Sequence, residues 1–316
     1  MIARTAASGA RNLEVGTALA VDAVAAEVVK ALRAAGVQSI VLRGPAIRHW
    51  LYAGGESRAY RDVDLLVEPR RRHAAEAVLG GLGFVHRQAG FAPGEAVEHA
   101  GEWVCRRPKV VVDLHRGLEG VGADPRELWS ALVTGCRQLD VAGVPVAVPG
   151  EPALALIVTL HAAHHGLEGT KQLAELRRAT ERAGFETWEE AARLAARLQA
   201  VQGFGAGLRL VPEGAAMAER LRLPRGGDVE TRLRAASAHS TAIGFARLVA
   251  ARGIRGKCAL VARKFVPTPA FMRYWSPLAR KGAVGMALAY LWRPVWLLLR
   301  LPPAAIAWLR AQRIGA

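Results

Sequence analysis

Three aspartates, Asp62, Asp64 and Asp113, are the side chains whose types and spacing could do chemistry in this chain. Asp62 and Asp64 stand two apart at the head of an apolar run, DVDLLV, and alternation along a strand sends residues i and i+2 to one face. Asp113 stands inside a second apolar run, VVVDLH from Val110 to His115, where an isolated charge would be expensive to bury. Convergent carboxylates repel one another and take up a proton if left alone. A hard divalent ion such as Mg2+ accepts oxygen ligands and removes that penalty. The implied chemistry is metal-dependent and acts on phosphate.

The elements that must position these acids follow from period and punctuation. Apolar residues recur at helical spacing from Val15 to Leu32, and Gly36 supplies a stop. Ser39–Leu42 reads as a buried strand, Arg43-Gly44-Pro45 as a turn, Ala46–Tyr52 as a short helix and Gly54–Arg61 as a loop leading into the strand Asp62–Val67. A helix over Arg71–Leu79 follows, then short strands near Phe84–Arg87, Glu102–Arg106 and Val110–Leu114. Asp124 reads as the N-cap of a helix to Leu132, and Val141–Val148 with its central Gly143 as a small hairpin or edge strand. Three parts are expected: an α/β (α+β) domain with a small mixed sheet over 1–150, a helical domain over 151–223, and a basic helical extension over 224–316.

Composition narrows the class. With 316 residues of which 52% are hydrophobic, the chain can bury a substantial core and carry an appended unit. Cys105, Cys136 and Cys258 are odd in number and scattered, which fits neither a disulfide framework nor a zinc knuckle and points to a reducing cytoplasm. Glu14, Asp22 and Glu27 interrupt the apolar core that a signal peptide would need. The net charge of +16 is concentrated. Residues 222–316 hold 17 Lys+Arg against two acids, Asp228 and Glu230, leaving +1 for residues 1–221. An anionic partner for that tail, a membrane surface or RNA, is expected. Its last part mixes Trp292, Trp296 and Trp308 with Arg293, Arg300 and Arg310, as an interfacial segment does, although a helical cap on the second domain fits as well. The longest apolar run, Gly282–Trp292, is shorter than the roughly 20 residues that span a bilayer, and Arg293-Pro294 is expected to break it.

Over about Ile40 to Leu223 the sequence resembles the nucleotidyltransferase superfamily typified by DNA polymerase β, and within it the bacterial branch of uncharacterised nucleotidyltransferases. The matching blocks, in order, are VLRG followed by a helix ending LY, R-x-x-x-D-V-D-L-L-V at Arg58–Val67, the helix to GLGF, VVDLH at Val111–His115, and LALIVTLHAAHH. The resemblance implies two Mg2+ ions held by Asp62, Asp64 and Asp113, and transfer of NMP from an NTP, ATP among them, to a hydroxyl acceptor with release of pyrophosphate. The acceptor is a sugar or antibiotic hydroxyl, a peptide or protein side chain, or an RNA end. It further implies that Asp113 holds the ion nearest the acceptor and helps take its proton. Gly44 would let backbone approach the triphosphate, with Arg43, Arg58 and Arg61 as phosphate ligands and Arg58 at the family's arginine position. The chain departs from the pattern in Pro45 for a small residue, Arg43 for lysine and Arg116 for an aromatic.

His161, His164 and His165 fit a helix lining the cleft better than a zinc site, since no carboxylate or cysteine partner accompanies them. His115 shares a strand face with Asp113 and is placed to orient substrate or that carboxylate. A non-catalytic nucleotide- or membrane-binding scaffold is the alternative, against which three costly acids argue. An RNA-binding protein acting through its tail is a third, without a recognised RNA-binding motif. The location expected is cytoplasmic, peripheral at the inner face of the cell membrane.

Overall fold

The computed structural model describes residues 2–52, 56, 58–92, 94–95, 99–105, 110–251 and 253–313, with side chains from Gly16 onward. The expected loop from Gly54 and the expected strand end at Arg106 fall partly outside them. The chain divides into two compact units, one comprising Met1–Arg87, His99–Val158 and Glu175–Ala200, the other Gln88–Glu98, Thr159–Ala174 and Val201–Ala316.

The first unit begins with helix α1 (Ile2–Ala34), whose buried Val21, Ala25, Val28 and Leu32 recur every three or four residues and form its inward stripe. It stops at Gly36, where φ of +69° lets the Val37 amide reach back to the Leu32 carbonyl at 2.9 Å. Strand β1 (Ser39–Val41), helix α2 (Pro45–Leu51), strand β2 (Asp62–Val67), helix α3 (Arg72–Gly81) and strands β3 (Val85–His86), β4 (Ala100–Val104) and β5 (Val111–His115) follow. Among the described residues these strands form one five-stranded sheet of order β1-β2-β5-β4-β3, in which β2 and β5 run parallel and the other pairs antiparallel. This is the small mixed sheet expected from the sequence. One sheet face is closed by Val63, Leu65, Val112, Leu114 and Trp103, all buried, each aliphatic side chain contributing about 1.5–3 kcal/mol. The other face carries the acids.

Helix α4 (Pro125–Val133) is capped by Asp124, which accepts from the Arg126 amide, and strands β6 (Arg137–Val141) and β7 (Val144–Val148) form the expected hairpin. Helices α5 (Glu151–His165) and α6 (Thr170–Arg182), expected in a second domain, are each shared between the two units, and α7 (Phe185–Arg197) belongs to the first.

The second unit continues with α8 (Val201–Leu208), α9 (Pro212–Arg220), α10 (Val229–Ala235), α11 (Ser240–Ala250), α12 (Ile254–Phe265), α13 (Pro269–Trp275) and α14 (Gly282–Arg313). Arg293-Pro294 does not end the helix as expected: α14 runs unbroken through Pro294, Pro302 and Pro303. Each proline removes one backbone donor, a cost that tertiary contacts can override. Here the Arg293 side chain is buried between the rings of Phe271 and Trp275, 4.9 and 4.7 Å away, and its Nε donates to the Lys264 carbonyl at 2.7 Å. The Tyr290 hydroxyl donates to the Pro267 carbonyl at 2.6 Å, fixing the preceding turn. By length and composition α14 is long and apolar enough to cross a membrane.

Candidate active site

Strand register brings the predicted acids together. In the parallel pair Asp64 lies opposite Asp113, and Asp62, two residues before Asp64, shares its face. In the antiparallel pair Glu102 of β4 lies opposite Asp113 as well. Asp62, Asp64, Asp113 and Glu102 therefore occupy one face of three adjacent strands. Glu102 was missed by sequence reading; the alternation of Glu102 with Gly101 and Trp103 on an edge-ward strand was the available signal, and its register was not. Its carboxylate also pairs with Arg87 at 3.2 Å.

The electrostatics of this row are uneven. Asp64 is 3% exposed, and its Oδ1 accepts from the Arg43 guanidinium and from His115 Nε2 at 3.0 Å. Burial alone would raise its pKa, but Arg43 and His115 hold it well below the usual carboxylate range. Burial likewise opposes charge on Arg43, yet Asp64, Glu119 and Asp62 hold its guanidinium above the ordinary arginine range. The other ring nitrogen of His115 faces the Gly117 carbonyl at 3.1 Å. Both nitrogens thus meet acceptors, which only the imidazolium satisfies with two donors. Burial favours the neutral ring, but the hydrogen bond to Asp64 prevails and the His115 pKa is raised. His115 orients the Asp64 carboxylate.

Asp113 is less well compensated. Burial, then the charges of Asp64, Asp62 and Glu102, push its pKa up to about 7, with His115 opposing. Among the described residues its Oδ1 is buried without a hydrogen-bond partner. A spare carboxylate oxygen in a row of like charges suits a hard cation, and Asp62, Asp64 and Asp113 supply the oxygen donors that Mg2+ prefers. Among the described residues no three His, Cys, Asp or Glu side chains stand close enough together to hold a metal ion, so the three aspartates share a strand face without being gathered round one point. The row is open.

The turn before α2 is fixed to this row from several sides. The Leu42 amide donates to the Asp64 carbonyl at 2.9 Å, and Gly44 follows at φ +59°, ψ −113°. Behind it stands the Tyr60 ring, 3.4 Å from where a β-carbon would sit, and the Tyr60 hydroxyl donates to buried Asp22 at 2.6 Å. Arg58 is 6% exposed; its Nη1 donates to the Gly44 carbonyl at 3.2 Å, while Nε and Nη2 reach the Glu175 carboxylate at 2.7 and 3.2 Å. Arg58 thus clamps the turn to α6 with a buried two-pronged ion pair. Glu175 escaped sequence reading. Its place in α6 beside Leu176 and Ala179, on the buried side, was the signal.

Gly44→Ala is expected to destabilise the protein by about 1–3 kcal/mol, since only glycine adopts this backbone conformation cheaply. Urea unfolding measures it, and an unchanged midpoint would contradict the strained-turn account. Of the other sequence-predicted residues, Arg61 is exposed. His161 and His164 belong to the second unit, where they meet Gln172 at 3.4 Å and Arg234 at 3.0 Å, and His165 packs edge-on against both.

A strand, a glycine turn and an acid pair beside a third acid on a parallel strand define a nucleotidyltransferase domain. The chain belongs to the family described as uncharacterised nucleotidyltransferase, which matches residues 4–214. No curated protein matches it. Among solved structures it is similar to the antibiotic-resistance factor ANT(2'')-Ia, at 20% identity over 55% of this chain and 90% of that one, with a TM-score of 0.40. It is also similar to an antigenic nucleotidyltransferase-like protein from Paracoccidioides brasiliensis, at 14% identity over 63% and 92% of the two chains and a TM-score of 0.38. A third is the lincosamide antibiotic adenylyltransferase LnuA, at 10% identity over 50% and 94% and a TM-score of 0.34.

Proposed function

We propose that this nucleotidyltransferase moves NMP from an NTP to a hydroxyl acceptor, on a sugar, a peptide or protein side chain, or an RNA end, and that Asp62, Asp64 and Asp113 hold the Mg2+ it requires. The observation that carries the reading is the partnerless oxygen of Asp113 in register with Asp64. When bound there, Mg2+ neutralises charge on the triphosphate and lowers the pKa of the acceptor hydroxyl.

The remaining roles belong to the chain. Asp64 stays ionised under Arg43 and His115 and so remains an oxygen donor at any working pH. Asp113, in register with Asp64 and carrying a spare oxygen, takes the proton as the acceptor oxygen bonds the α-phosphorus and the bond to pyrophosphate breaks. Arg43 and Arg61 are the cations for the triphosphate, and Arg58 acts through the Gly44 carbonyl it holds.

Incubation of the purified protein with each α-labelled NTP, Mg2+ and cell extract is expected to label an acceptor. Asp64→Asn is expected to lower that transfer more than about 100-fold. Transfer that survives the substitution would overturn the assignment.

A further inference from the structure

Helix α14 is apolar on two opposite faces. One is spoken for: Gly285, Ala289, Arg293, Leu297, Ala304 and Ala311 are buried, Ala304 and Ala311 packing with Leu233 of α10 and Ala242 and Ala246 of α11, and Ala289 with Met272 of α13. At 3.6 residues per turn the other face carries Val284, Leu288, Leu291, Val295, Leu298 and Ile306, spaced alternately four and three apart as far as Leu298 and all exposed, Val284 and Leu291 by more than 70%. From Gly282 to Leu309 Arg300 is the one charged residue among the exposed positions. The stripe is about 38 Å long from Val284 to Leu309. Soluble surfaces rarely leave a contiguous apolar strip of that size uncovered.

Cations frame it. Arg280 and Lys281 stand before its start, and Arg310 and Arg313 at its end. Helix α12, which touches α14, buries no residue and adds Arg255, Lys257 and Arg263 around an Ile254 that is 79% exposed. The two acids of residues 222–316 are both engaged. Asp228 caps α10 by accepting from the Thr231 amide at 2.7 Å, and Glu230 pairs with Arg234 and Arg247, each at 2.8 Å.

We propose that the exposed face of α14 lies in the plane of an anionic lipid bilayer. The leucines and Trp292 sink to the level of the acyl chains, while the framing cations and those of α12 meet lipid phosphates. An in-plane pose keeps the opposite face on α10, α11 and α13. A crossing pose would strip that packing and carry Arg293 and Arg300 into hydrocarbon, despite sufficient length and apolarity. A second copy of this chain is a poor occupant, because the region carries +15 and pairing it with itself opposes like charges. The inference is independent of the nucleotidyl-transfer reading.

Flotation of the full chain with phosphatidylcholine vesicles, with and without phosphatidylglycerol, tests it. The protein is expected to float with the anionic vesicles only, to be released by salt, and to show a blue shift of tryptophan emission on binding. Leu291→Gln with Leu298→Gln is expected to weaken partitioning about tenfold or more at unchanged melting temperature, since both side chains face solvent in the free protein. Four results would each overturn the proposal: absence of flotation, flotation indifferent to those substitutions, material resistant to alkaline carbonate as a crossing helix is, or a dimer in solution that the substitutions dissociate. Salt-sensitive binding to RNA in place of vesicles would overturn it too.

Discussion

Asp113→Asn is expected to lower nucleotidyl transfer more than about 100-fold and, in the metal-free protein at pH 8, to raise the melting temperature by about 3 °C. The two effects share a cause. Asp113 lies in register with both Asp64 and Glu102, its Oδ1 has no partner among the described residues, and burial with three neighbouring carboxylates pushes its pKa up to about 7. An unfolded aspartate titrates near about 3.9. Between those values the folded protein binds a proton that the unfolded chain has released, so stability falls as pH rises from about 4 to about 7 and stays at the lower level above. Asparagine carries no charge at any pH and escapes that loss, so wild type and variant should melt alike at pH 4, diverge as pH rises to about 7 and keep a constant difference above it. Mg2+ added to the wild type should recover the same stability at pH 8 by supplying a counter-ion, and should do so weakly for the variant. Equal melting of the two proteins across the pH range would show that Asp113 is already satisfied. A variant with full activity would remove it from the chemistry.

Glu175→Gln is expected to cost about 3–5 kcal/mol of stability, because it leaves the Arg58 guanidinium, 6% exposed, without its carboxylate. Activity should fall about 100-fold through a misplaced Gly44 turn. Stability and positioning can be separated. Replacing both partners by apolar residues, Arg58→Met with Glu175→Leu, removes the buried charges together and should recover most of the stability. It leaves the Gly44 carbonyl without its donor, so activity should stay low and KM for the NTP raised. Wild-type kinetics in the stable double variant would reduce the pair to packing.

The parts of this site that were legible in the sequence are those that local pattern dictates. β2 was read with its observed ends because apolar alternation and a following Glu68-Pro69 bound it on the sequence itself, and the same period put Asp62 and Asp64 on one face. The Gly44 turn was legible because glycine and proline punctuate a chain wherever they stand. Long-range pairing left weaker marks. Glu175 lies 117 residues from Arg58, and the sequence shows only that it sits on the buried side of α6, without naming the cation that meets it there. Glu102 required the register of β4 on β5, which a one-residue slip would have reversed. Arg43 was read for its charge, but its ion pair with Asp64 depends on the fold of the turn. In α14 the pattern itself misled: an all-round apolar helix shows no single stripe, and only packing of Ala289, Ala304 and Ala311 on neighbouring helices tells the covered face from the uncovered one.

The central claim is that a hard cation completes the row formed by Asp62, Asp64 and Asp113. Anomalous scattering from crystals grown with Mn2+ and a non-hydrolysable NTP analogue tests it most directly. The account predicts manganese bound by the carboxylates of these three residues, with Asp113 Oδ1 among the ligands and the triphosphate beside the Gly44 turn. Manganese bound elsewhere, or nucleotide bound with Asp113 still without a partner, would contradict it.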